Sequence, residues 1–229
     1  MARSPHGNST CIHHRGSFFV GLGHPRCGTG FTASLISKSG LDVGHEIVGE
    51  NGIISWMLPG EKYRNPFHDA IGPLNGFAKI FLVARSPFAS IPSIVPENRR
   101  GKSLRFRRQV LRERLGTDPI GGDNSASDVV RAVASYVNWF ELCLTFKPKI
   151  IFRVDRDDNA ILSDFLDHAV LQTGSVNRNS RPEARGKAVS PEELVQHIPD
   201  DLLSRLLTLS ETLGYSDEVA SVRNLQTGK

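Results

Sequence analysis

The segment Gly21-Leu-Gly-His-Pro-Arg-Cys-Gly-Thr-Gly-Phe31 limits what this chain can fold into more than any other. It grows out of a short apolar run, Ser17-Phe-Phe-Val-Gly-Leu22, and leads into Phe31, Leu35 and Ile36 at helical spacing until Gly40 supplies a stop. Strand, tight loop and helix in that order aim several backbone N–H groups and the positive end of the helix dipole at one point, which suits an anion. Gly23 and Gly28 have the spacing of the two glycines in the phosphate-loop pattern G-x-x-x-x-G-K-[ST], but Thr29 and Gly30 replace its last two residues. The magnesium-nucleotide form of the loop is therefore broken, no metal is expected, and Arg26 is the cation left to reach the same oxygens.

Lys79-Ile-Phe-Leu-Val-Ala-Arg85 and Lys149-Ile-Ile-Phe-Arg-Val-Asp155 are near-continuous apolar runs, the pattern of parallel strands buried on both faces. Residues 41–46 suggest a further short strand, whereas 51–73, with its Gly, Pro and Asn content, reads mostly as loop. Val129, Val130, Val133, Val137, Phe140 and Leu144 predict a core-facing helix over 127–146. Helical patterns recur over 157–170 and 200–213, with a polar loop at 174–191 between them. Strands alternating with helices imply a three-layer α/β/α domain around a central parallel sheet. A single domain is expected over 17–229, behind a polar, flexible leader over 1–16 that has no apolar stretch of signal-peptide type.

Composition narrows the function classes. Hydrophobic residues at 39% and charged residues at 23% exclude a disordered polyelectrolyte, and no apolar stretch approaches the roughly 18–20 residues of a membrane span. Cys11, Cys27 and Cys143 are odd in number and show no Cys-x-x-Cys spacing, which argues against a disulfide framework and for a reducing cytoplasm. The net charge of +4 hides an uneven distribution: residues 99–114 carry eight Lys or Arg and one acid, Glu113, for a local +7. As a helix over 99–115 this segment places Leu104, Leu111 and Leu115 on one stripe and cations over most of the rest.

Two motifs together resemble the sulfotransferases that use 3′-phosphoadenosine-5′-phosphosulfate (PAPS). Their first loop reads Pro-(Lys or Arg)-x-Gly-Thr-Thr-(Trp or Leu), which matches Pro25-Arg26-Cys27-Gly28-Thr29-Gly30-Phe31 apart from the second hydroxyl, absent at Gly30. The second is an Arg at the end of a central strand with a Ser eight positions on, matched by Arg85 and Ser93. The resemblance implies a P-loop NTPase-like fold and PAPS as the donor. It further implies that Arg26, Cys27, Gly28, Thr29, Gly30 and Phe31 hold the 5′-phosphosulfate and adenine, and that Arg85 and Ser93 hold the 3′-phosphate. A late basic, glycine-containing loop is matched in composition only, by Arg181-Pro-Glu-Ala-Arg-Gly-Lys187.

Sulfuryl transfer calls for in-line placement, neutralisation of the leaving oxygen by Arg26 and the loop N–H groups, and a base for the acceptor hydroxyl or amine. The base candidates are His45 and Glu46; on an extended segment they point to opposite faces, so only one is expected to face the sulfuryl group. The family's spacing favours Glu46, twenty residues after Arg26, with His45 as the alternate. The acceptor, whether small molecule, glycan or peptide, is not named by the sequence. Two other functions compete. One is a nucleotide kinase or NTPase on the same fold, disfavoured by the missing loop Lys. The other is an inactive nucleic-acid-binding relative using the 99–114 cations, supported by charge alone. Trp56 suits an acceptor pocket or plain packing, Trp139 the core, and Asp155 the orientation of Arg153 or Arg156. Cys27 sits at a helix N-terminus, a setting that lowers a thiol pKa, and His13 and His14 lie in the leader.

Overall fold

The computed structural model describes residues 18–60, 65–74, 77, 79–121, 126–171, 190, 192 and 196–227. The expected leader with Cys11, His13 and His14, and residues 181–187 of the late loop lie outside them. The described elements are β1 (Phe19–Gly23), α1 (Thr29–Lys38), β2 (Val43–His45), β3 (Gly52–Ile54), α2 (His68–Ile71), β4 (Ile80–Ala84), α3 (Pro87–Arg99) and α4 (Lys102–Leu115). They continue with α5 (Asp128–Leu144), β5 (Ile150–Arg153), α6 (Asn159–Leu166), α7 (Asp200–Thr212) and α8 (Ser216–Thr227).

Five strands form one all-parallel sheet in the order β2-β3-β1-β4-β5. Alternation along each strand divides its side chains between two cores. Phe19, Phe81, Val83 and Phe152 meet Ala33, Leu35 and Ile36 of α1 and Leu162 and Leu166 of α6. Val20, Leu22, Leu82 and Ala84 meet the other layer, where Ile91 and Ile94 of α3, Val133 and Val137 of α5 and Leu206 of α7 lie buried. The fold is thus the expected three-layer α/β/α arrangement, with both sheet faces covered. Among the described residues no helix is long and apolar enough to cross a membrane.

The connections set where a ligand can sit. After β1 the chain turns towards β2, and after β4 it turns the other way towards β5, although β1 and β4 are direct neighbours. The crevice outside the carboxyl ends of such a pair is the binding position of open α/β sheets. Arg26 follows β1 and Arg85 follows β4, so both motifs open onto that crevice.

The described part of 51–73 is mostly loop, as expected, interrupted by α2 and by β3, which pairs with both β1 and β2. Two sequence expectations need correction. The helix expected over 99–115 starts at Lys102, since Gly101 takes a left-handed conformation (φ 80°) that separates it from α3. Its apolar stripe also differs: Leu115 is 49% exposed, while Val110, Leu111 and Arg107 are the buried members of α4.

Candidate functional site

The loop after β1 is held open by its own backbone. Arg26 adopts φ 75° and Gly28 φ 96°, both in the left-handed region, so the chain turns sharply twice before α1 begins. Only glycine suits position 28, where a Cβ would also fall 2.8 Å from both methyl groups of Val154. Cys27 N–H closes a turn onto the His24 carbonyl at 3.1 Å, whereas Thr32 N–H is the first to bond back into α1, to Gly28 O at 2.9 Å. The N–H groups of Thr29, Gly30 and Phe31 thus precede the first intrahelical bond. No side chain caps α1 and no acid lies in its first turn.

The N-terminus of α3, one strand away, is the opposite case. Ser86 caps it by accepting from Ala89 N–H, and its hydroxyl donates to Glu218 of α8. Asp155 accepts from Ser86 N–H at 2.9 Å and from the Tyr215 hydroxyl at 2.7 Å. Protein carboxylates already fill that positive helix end, whereas no side-chain cap or first-turn acid meets the start of α1. Asp155 therefore does not orient Arg153 or Arg156: Arg153 is held by Asp158, and Arg156 by Asp217 and Glu218.

Arg26 and Arg85 follow the two strands that flank the crevice, and the charge of a third arginine, Arg100 at the end of α3, is felt at Arg26. Burial holds the Arg26 guanidinium below its ordinary pKa; Glu97 opposes this, and the charges of Arg100 and Arg85 reinforce it. Among the described residues none of the three forms an ion pair, and Arg26 Nε is buried without a hydrogen-bond partner. Glu97, the opposing charge, is already bonded to Arg107 at 3.0 Å. Ser93 lies half-buried in α3, on the helix that Arg85 leads into.

The side chains of His45 and Glu46 lie together beside the loop and do not point to opposite faces as an extended segment would have them. Glu46 leaves the extended conformation for φ 58°, which breaks the strand alternation and brings its Oε1 to 3.6 Å from His45 Nε2. His45 Nε2 also lies 3.2 Å from Thr29 Oγ1, and its ring occupies the space a side chain at position 30 would need: a Cβ there would be 3.3 Å from His45 Cε1. Gly30 and His45 are therefore fitted to each other. Trp56 donates its indole N–H to Glu46 Oε1 at 2.7 Å, a contact that neither of its expected roles anticipated.

Cys27 and Phe31 change meaning. The Cys27 thiol is fully buried, 3.4 Å from Ser90 Oγ, and burial pushes its pKa up to about 12, so neither it nor its turn-bonded N–H is offered to a ligand. Phe31 is half-buried and leans on the α1 and α6 core. Behind the loop, His24 is fully buried and held neutral, first by burial and then by the charge of Arg107. Arg107 Nε can only donate, so Ser135 Oγ accepts from it at 3.0 Å, and the Ser135 hydroxyl lies 3.0 Å from His24 Nε2. His24 Nδ1 then donates to the Pro25 carbonyl at 2.6 Å, and Trp139 donates to the Gly23 carbonyl at 2.9 Å. Ser135 and Trp139, each more than a hundred positions away, brace the loop with Arg107 behind Ser135, a link with no local signal in the sequence.

The +7 segment is half paired. Arg99 pairs with Asp128, Arg107 with Glu97, and Arg108 and Arg112 share Asp118, while Arg114 lies over the Phe146 ring. Arg100, exposed at the C-terminal end of α3, is the member whose charge is felt at Arg26. No family model, curated protein or solved structure matches this chain.

Proposed function

We propose that the protein is a cytoplasmic PAPS-dependent sulfotransferase that moves a sulfuryl group to a hydroxyl or amine acceptor. The observation that carries this is the uncapped start of α1 just after Arg26, which feels the charges of Arg85 and Arg100, three arginines with no ion-pair partner among the described residues. Such a site suits a ligand with anionic groups at two places, one at the loop and one beyond β4. The residues fit PAPS: the orphaned Arg26 Nε and the N–H groups of Thr29 to Phe31 would take the phosphosulfate, and Arg85 and Ser93 the 3′-phosphate. When bound, PAPS supplies an activated sulfuryl group on a phosphate leaving group.

Arg26 and the loop N–H groups neutralise charge on the leaving oxygen, and their fixed positions spare reorganisation during transfer. Glu46 or His45 accepts the acceptor proton, and Glu46 is the stronger candidate because His45 Nε2 is turned towards Thr29 in the loop. The nucleic-acid alternative is weakened, since half of the eight cations it needed are paired within the fold.

The base assignment is tested with labelled PAPS and a mixture of hydroxyl and amine acceptors. Glu46→Gln is expected to bind the product 3′-phosphoadenosine-5′-phosphate (PAP) like the wild type while its transfer rate falls by about a hundredfold or more. Equal transfer by both proteins would move the base to His45 or elsewhere.

A further inference from the structure

Glu46 is an odd residue for its backbone. Non-glycine residues in the left-handed region cost about 1 kcal/mol or more, and Gly or Asn would bear φ 58° more easily. The side chain is 36% exposed, so core packing does not require it. What holds it is Trp56, which follows β3 and so reaches across from the neighbouring strand to the end of β2.

Trp56 is itself held from below. Phe106 meets its ring edge-on at 5.1 Å, and the Arg107 guanidinium lies over it at 5.9 Å. Arg107 is completely buried and fixed by Ser135, Glu97 and Asn98. A continuous set of contacts therefore runs from the interior of the α4 layer to one carboxylate oxygen at the edge of the crevice. The second oxygen, Oε2, has no hydrogen-bond partner among the described residues.

We propose that Trp56 is a positioning residue whose indole N–H anchors Glu46 Oε1 and thereby presents Oε2 to the acceptor. The inference rests on Glu46 being the base of the proposed sulfotransferase. The acceptor oxygen or nitrogen bonds to sulfur as the phosphosulfate S–O bond breaks. The electron pair of that bond leaves on the phosphate, and the acceptor's proton passes to Oε2. The 2.7 Å indole contact, shorter than the 3.6 Å separation from His45, keeps the carboxylate aimed while His45 remains with the loop.

The chain has two tryptophans, so nitrogen-labelled protein gives two indole N–H signals without any ligand. The charged and titratable groups near the Trp56 indole are Glu46, His45 and Arg107. The Trp56 signal is expected to move on acidification, to stop moving in Glu46→Gln and to keep moving in His45→Gln. The Trp139 signal, bonded to the Gly23 carbonyl, is the fixed reference. Trp56→Phe, which keeps a ring but deletes the donor, should slow transfer of labelled sulfuryl from PAPS to the mixture of hydroxyl and amine acceptors about tenfold with PAP affinity unchanged.

A Trp56 signal indifferent to pH, one that still moves in Glu46→Gln, or equal transfer rates in wild type and Trp56→Phe would overturn the inference alone if the wild type binds PAP. A wild type that does not bind PAP would overturn the sulfotransferase reading and this inference with it.

Discussion

Arg26 lies half-buried beside Arg85 and Arg100, so the ligand-free protein holds like charges together that folding alone would separate. Removing Arg26 relieves both its desolvation and that repulsion. Arg26→Ala is therefore expected to leave the melting temperature of the free protein unchanged or slightly raised. Its PAP affinity should fall about ten- to hundredfold, the worth of one or two charge-assisted hydrogen bonds. Calorimetric titration together with a melting curve decides it: a melting temperature several degrees lower with unchanged PAP affinity would make Arg26 a structural residue. At this scale the loop was legible, since Gly23, Arg26 and Gly28 act through local backbone geometry. Glu46 was not, because alternation along a strand predicts side-chain direction only while φ stays extended. Trp56 and Arg107 were hidden for another reason, that their partners are brought to them by the sheet and by α4.

Among the elements, α4 shows how a basic run becomes part of a fold. Burial would raise the Asp118 pKa, but hydrogen bonds and charge from Arg108 and Arg112 more than reverse this, and the carboxyl is held below its ordinary range. A depressed folded pKa gives stability that is present above the unfolded value and disappears as pH falls through the folded one. Asp118→Asn is accordingly expected to cost about 1 kcal/mol at neutral pH, a modest figure because Arg112 is half-exposed. In urea unfolding the gap from wild type should close on acidification below the carboxylate range. A gap of constant size would mean that charge is not what holds the α4 end. The elements differ in how readily the sequence discloses them. β1, β4 and β5 announce themselves as apolar runs, whereas β3 is three residues long. α3 was concealed by Pro92 and Pro96 inside it, residues that read as breaks, and by the left-handed Gly101 that divides it from α4.

For the whole molecule, the parallel order β2-β3-β1-β4-β5 brings two short motifs sixty residues apart to one crevice, because β1 and β4 are neighbours whose connections diverge. The local +7 has a changed meaning at this scale. Half of its cations are internal cement, and the charge at the loop is that of Arg26, reinforced by Arg85 and Arg100. The central claim is that this set and the start of α1 bind an adenine nucleotide with phosphates at both ends. Thermal unfolding with PAP, adenosine 5′-phosphate and magnesium ATP tests it most directly. PAP at a hundred times its dissociation constant should add about 2.7 kcal/mol, or roughly 5–10 °C for a domain of this size. The other two ligands should give much smaller shifts, and Arg85→Ala should abolish the preference for PAP over adenosine 5′-phosphate. No shift with PAP, or an equal shift with magnesium ATP, would contradict the account.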